Sequence, residues 1–174
     1  MNPRPRGTSA ESAFARLLET FRPDLLRFSL WLSRDRAVAE DVVQETLIRA
    51  WKSKNELKDP AAVRPWLLTI ARREHARLYE RKRLPTVDVD SVEALGDPAL
   101  ASDGDAGLID LRRAILKLPD EYREPLVLQV LGGFTTAEIG AELGLTQAAV
   151  LTRLFRARNR VRGIYGLEPA EESE

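Results

Sequence analysis

The sequence predicts an all-α protein: two small helical domains joined by a flexible acidic linker, the C-terminal one a helix-turn-helix. Three observations carry that prediction. Apolar residues recur at three- and four-residue spacings through the first 83 positions and again beyond about Leu108, and no alternating strand pattern stands out. The stretch from Leu84 to about Gly107 turns to Pro, Gly, Ser, Asp and Val and contains no lysine or arginine. Charge is also segregated. Residues 1–83 hold 18 Lys/Arg against 11 Asp/Glu, residues 84–110 none against seven, residues 111–167 nine against five, and residues 168–174 none against four. The net charge of zero therefore hides a basic body, an acidic linker, a second basic body and an acidic tail, a pattern that points to a polyanionic partner.

In the first block Phe14, Leu17, Leu18 and Phe21, then Leu25, Leu26, Phe28 and Leu32, mark an apolar face, and Pro23 breaks or bends the run. Asp35 to Ala39 reads as a short connection. A helix follows through AEDVVQETLIRAWKS, with Val43, Leu47 and Ala50/Trp51 on one stripe and Asp41, Gln44, Glu45 and Arg49 off it. KNELKDPAAV reads as a loop or short turn. Pro65 then opens PWLLTIARREHARLYERKR, with Trp66, Leu67, Ile70 and Ala71 inward and Leu78 a further candidate. Seven Lys/Arg against two Asp/Glu between 63 and 83 suit a helix that tracks phosphates. The second block starts near Leu108, and Pro125 is expected to kink or restart its next helix.

Residues 135–158 carry the most specific local signal. Thr135 and Glu138 have the capping-box spacing, and Ile139 and Leu143 give the short helix an inward face. Gly140 is small where two helices must cross, Gly144 suits a left-handed turn, and Leu145 plugs the corner. Thr146 can cap the next helix, where Val150, Leu154, Ala157 and Val161 repeat at helical spacing. With that direction inward, Ala148, Thr152, Phe155, Arg156 and Asn159 point outward, flanked by Arg153 and Arg158. Acidic residues are absent from 143 to 162. Alanine, threonine and phenylalanine can touch thymine methyls, and arginine can fork onto guanine or grip phosphate.

Other classes are disfavoured. The chain has no cysteine and one histidine, His75, which sits among arginines. No metal-ligand cluster or phosphate-binding glycine loop occurs, so neither an enzyme nor a cofactor is expected. No apolar run approaches the roughly 20 residues of a spanning helix and no secretory signal opens the chain, so a cytoplasmic protein without membrane insertion is expected.

These residues resemble the extracytoplasmic-function (ECF) sigma factors, compact bacterial transcription initiation factors. The resemblance covers about 10–83 and 109–163. AEDVVQETLIRAW is similar to the family helix that docks on the clamp of the polymerase β′ subunit. RPWLLTIARRE is similar to the start of the −10 helix, and LPDEYREPLVLQVLGGFTTAEIGAELGLTQAAVLTRLFRAR to the whole −35-reading domain. The resemblance implies an N-terminal sigma domain at 10–83, a linker at 84–108, a C-terminal helix-turn-helix domain at 109–165 and an acidic tail at 166–174. It implies polymerase-binding roles for Asp41, Gln44, Glu45, Arg49 and Trp51, the last shared with core packing. It implies −10 roles for Arg64, Arg72, Arg73, Arg77, Arg81, Lys82 and Arg83, with Trp66 a buried anchor, and a 54–62 loop that houses the extruded −10 base. It implies −35 roles for Thr146, Gln147, Thr152, Arg153, Phe155, Arg156 and Arg158. Implied partners are core RNA polymerase (β′ clamp and β flap), promoter DNA and an anti-sigma factor.

The chain departs from the family at two places. Arg73 and Arg77 stand where an asparagine and an aspartate are frequent, and Leu151 and Phe155 where a lysine and a histidine are common. A −35 contact with less charge and more apolar readout is expected. A linker of roughly 25 residues could span about 85 Å at full extension, over two duplex turns of about 34 Å each, so the domains could sit far apart on one DNA. The competing reading is a free-standing helix-turn-helix regulator that binds duplex as a dimer; it leaves the 40–51 and 63–83 helices without a purpose.

Overall fold

The computed structural model describes residues 7–82 and 106–164. Most of the linker, Arg83, the side chain of Lys82 and the acidic tail lie outside the described residues. The first domain comprises α1 (Gly7–Thr20), α2 (Arg22–Ser33), α3 (Arg36–Lys52), two 3₁₀ turns at Lys54–Glu56 and Pro60–Ala62, and α4 (Val63–Lys82). The second comprises α5 (Ala106–Leu116), α6 (Asp120–Val130), α7 (Thr136–Leu143) and α8 (Gln147–Ile164). No strand occurs among the described residues.

Pro23 falls in the first turn of α2, where its missing N–H costs no bond, so the break between α1 and α2 comes before it. The connection expected at 35–39 is shorter than the sequence suggests. Asp35 accepts a hydrogen bond from the Val38 N–H at 2.9 Å, and this cap starts α3 at Arg36. Val38, Val42, Val43, Leu47 and Ala50 then face inward against α2 and α4. Asp59 caps the second 3₁₀ turn through the Ala61 N–H, and α4 begins at Val63, two residues before Pro65.

Pro125 does not restart its helix. Residues 120–130 form one element through it, because only the bond to the exposed Glu121 turn is lost while Tyr122, Leu126, Val127 and Leu128 remain buried. In α7 the capping box forms in both directions, and bonds from Thr135 hold the Glu138 carboxyl below its ordinary range. Gly144 takes φ 65° after α7, a left-handed cap that glycine adopts without a Cβ clash.

Gly140 has a different reason. A Cβ there would lie 2.7 Å from the Leu145 carbonyl oxygen, a backbone atom that cannot swing aside. Gly140→Ala is therefore expected to destabilise the second domain by about 1–2 kcal/mol although alanine is the better helix former. Gly163→Ala in α8 meets nothing within 4 Å and should be neutral or gain about 0.5 kcal/mol. Urea unfolding of both variants checks this; equal effects would refute the close approach.

The two domains touch. Their buried apolar side chains, from Leu18 and Phe28 to Val150 and Leu154, form one contiguous cluster, and α2 packs against α6. The separation that the linker length permits is thus not the arrangement in this structure. At the contact, Arg34 adopts φ 61° at the end of α2, a left-handed conformation that costs a non-glycine residue of order 1 kcal/mol. Its buried guanidinium donates to the Leu116 carbonyl at 3.3 Å and to Asp120 at 3.2 Å.

Candidate nucleic-acid and polymerase interface

Helix α8 presents the two faces that its sequence implies. Val150, Leu154 and Ala157 are buried, whereas Ala148, Thr152 and Arg156 are exposed and Leu151 is 54% exposed. Phe155, Arg153 and Asn159 are half-buried, so the phenylalanine projects less than expected. The Thr146 hydroxyl accepts the Ala149 N–H, which anchors the start of the helix. Gln147 donates its amide to the Thr136 hydroxyl at 2.8 Å, tying α8 to α7. Arg158 is bonded to Gln129, and Arg160 lies over the Tyr122 ring at 4.5 Å.

On α3, Asp41, Gln44 and Glu45 share an exposed side, as the wheel predicts. Arg49 is exposed as well but pairs with Glu74 of α4. Glu74 is 4% exposed, and burial raises its pKa while Arg49 opposes the rise. Arg49 thus partners a buried carboxyl group and offsets part of its desolvation, a structural duty that the sequence did not reveal. Trp51 is half-buried, its ring 6.1 Å from Phe14 with Lys54 above it at 4.6 Å, so packing is one of its roles. Trp66 is likewise packed, partly buried, against the core.

The α4 arginines are heavily engaged. Arg64 donates to Asp24 at 2.8 Å and to the Leu131 carbonyl at 2.9 Å. Arg72 pairs with Glu124 at 3.1 Å, and Arg73 forks onto Glu142 at 2.6 and 3.1 Å. Arg77 pairs with Glu74, and Arg81 is exposed. Between α3 and α4 lies an open cleft of about 530 Å³, lined in part by Ser53, Glu56, Trp66, Arg73 and Arg77. Ser53 and Glu56 place the 54–62 segment at its rim.

The sigma-70 region 2 family matches residues 17–84, and the sigma-70 region 4 family matches residues 108–161. The ECF RNA polymerase sigma factor SigL of Mycobacterium tuberculosis is 32% identical over 160 residues, which are 88% of this chain and 90% of that protein. The chain belongs to the ECF sigma factors. A probable RNA polymerase sigma factor of Xanthomonas campestris, RfaY, is also 32% identical over 160 residues, and this sigma factor spans 40% of its length. Among solved structures, the sigma factor RpoE in complex with the anti-sigma factor NepR from Bartonella quintana shares 27% identity at a TM-score of 0.67. The match covers 88% of this chain and 97% of that one. As a sigma factor the chain is a promoter-directing transcription initiation factor, and no described helix is long and apolar enough to cross a membrane.

Three residues at the domain contact escaped the sequence reading: Arg34, Asp120 and Arg123. Arg123, 3% exposed, donates to the carbonyls of Trp31, Leu32 and Leu118 and to Asp120. The usable signal was its spacing of four from Val127, which puts it on the buried side of α6. His75 of α4 also faces this node, its Nε2 buried without a hydrogen-bond partner among the described residues. Burial, then the charge of Arg123, push its pKa from the ordinary 6.5 down to about 4; Asp120 opposes them and Arg72 adds to the fall. The folded state thus refuses a proton that the unfolded chain accepts. Its stability is unaffected above about pH 6.5 and is lost progressively as pH falls toward 4. Between pH 7 and 5.5 the loss should be about 1 kcal/mol. His75→Asn should show a smaller fall in urea midpoint over that range, and an equal fall would refute the assignment.

Proposed function

We propose that this sigma factor divides its work among three helices. The exposed side of α3, with Asp41, Gln44 and Glu45, docks on the β′ clamp of core polymerase, with Arg49 and Trp51 holding that surface in place. Helix α4 and the 54–62 segment take the −10 region. Arg64, Arg72, Arg73, Arg77 and Arg81, with Lys82 and Arg83 beyond them, follow the strand phosphates, and an extruded base enters beside the α3–α4 cleft. Binding energy for the flipped base, rather than catalysis, drives melting. Helix α8 enters the major groove at −35, with Thr146 and Gln147 at its start and Thr152, Arg153, Phe155, Arg156 and Arg158 along it.

The observation that carries this reading is the face of α8: small, hydroxyl, apolar and arginine side chains stand outward from a helix held rigidly by a capped turn. A partner of the anti-sigma kind would cover the same α3, α4 and α8 surfaces, as suits a protein similar to a factor solved with one. The second domain would also meet the β flap. The test is run-off transcription from linear promoter DNA with core polymerase, alongside retention of core polymerase on the immobilised chain. Promoter-dependent transcript only in the presence of both supports the reading. Duplex binding as a dimer without retention of core polymerase would sink it.

A further inference from the structure

We propose that the packed two-domain arrangement is a self-restrained state in which Glu124 and Glu142 occupy the arginines that α4 offers to the −10 strand. The inference rests on the reading of α4 given above and concerns its regulation. Both carboxylates belong to the second domain, on α6 and α7, and both reach across to the first. Arg73 commits its Nε and one terminal nitrogen to Glu142, at 3.1 and 2.6 Å. Arg72 commits its Nε to Glu124, with Glu142 a further 3.9 Å from its Nη1. A guanidinium edge that forks onto a carboxylate cannot fork onto a phosphate at the same time. Closure and strand binding therefore compete for the same nitrogens.

Single surface ion pairs are worth little. This group differs, because the side chains of Arg72, Glu124 and Glu142 are 17%, 27% and 14% exposed, so that even Arg73, itself 62% exposed, meets a carboxylate partly removed from water, which strengthens the attraction. Arg72 and Glu124 line one pocket with Asp120 and Arg123, and the bonds of Arg34 to Asp120, of Arg123 to the Trp31 and Leu32 carbonyls and of Arg64 to the Leu131 carbonyl also tie the domains together.

The chain has no cysteine, so Ala13→Cys and Ala137→Cys, at two exposed positions, can carry a pair of spin labels for an interdomain distance. The wild-type full chain should show one short, narrow distance. Glu124→Gln with Glu142→Gln should lengthen and broaden it, and should tighten binding of a fluorescent 12-mer thymidine oligonucleotide about tenfold. Glu40→Gln with Glu121→Gln removes the same charge away from the contact and should do neither. Glu142→Arg should also open the chain, and adding Arg73→Glu should close it again. An unchanged distance in the double glutamine variant overturns the proposal. So does a lengthened distance with no gain in oligonucleotide affinity over the control pair. A chain that closes and opens as described yet fails to support transcription with core polymerase would instead refute the reading of α4.

Discussion

Arg123→Ala is expected to lower the unfolding free energy by about 3 kcal/mol and to uncouple the two domains. Helix α2 ends at Ser33, and its last carbonyls need partners. The Leu30 carbonyl is taken by the Arg34 N–H, and those of Trp31 and Leu32 by the Arg123 guanidinium. In return Arg34 reaches the Leu116 carbonyl at the end of α5. Each domain thus supplies a buried cation to a helix C-terminus of the other, where the macrodipole favours positive charge. Removing Arg123 strands three carbonyls at once, whereas Asp120 is half exposed and can be rehydrated. Burial already pulls the Arg123 pKa down, with Arg34 adding to the fall, so the node is held by hydrogen bonds against a real desolvation cost.

The tryptophans make the test sharp, since Trp31, Trp51 and Trp66 all lie in the first domain. In the wild type, urea unfolding followed by fluorescence and by far-ultraviolet circular dichroism should coincide. In Arg123→Ala the two curves should separate. Arg123→Lys keeps the charge but not the planar fork, and should recover less than half of the loss. Coincident curves with an unchanged midpoint would contradict the account.

Residues whose partners are near in sequence were legible, and residues whose partners are far were not. The Thr135–Glu138 box, the Gly144 turn and the Val150/Leu154/Ala157 stripe each encode their geometry between residues no more than seven positions apart. The start of α3 is less legible because Asp35 reads as part of a connection, whereas its carboxylate is the cap that begins the helix. The contact between the domains was invisible for a different reason. Arg72 and Glu142 are 70 positions apart, and a charge reads the same in a string whether water or a carboxylate faces it. Arg34 and Arg123 look like surface residues by type. Only the helical register of Arg123 with Val127 hinted at burial, and nothing local indicated which carbonyls it would meet. The candidate site was legible in the same uneven way: the outward face of α8 followed from periodicity, but the engagement of Arg49, Arg72 and Arg73 did not.

The outward face of α8 carries the other large expectation. Arg156→Ala should weaken −35 duplex binding about tenfold, and Leu151→Lys should change which −35 sequences are preferred. Both side chains project from a helix whose core contacts lie on Val150, Leu154 and Ala157, so neither change should disturb folding. Leucine and lysine also have similar helix propensities. If Arg156 grips a phosphate, its loss will be uniform across sequences and the salt dependence will flatten by about one unit. If it forks onto a guanine, the loss will concentrate at one base pair. Leu151 is 54% exposed and can offer only apolar contact, for which the thymine methyl is the matching group in the major groove. A lysine there would exchange that contact for a donor to guanine or phosphate, and discrimination at one position should fall or invert by about 1–3 kcal/mol. Holoenzyme run-off on a panel of promoters that differ only at −35 reads both effects. An unchanged rank order for Leu151→Lys would mean that this face holds the backbone and reads no base through residue 151.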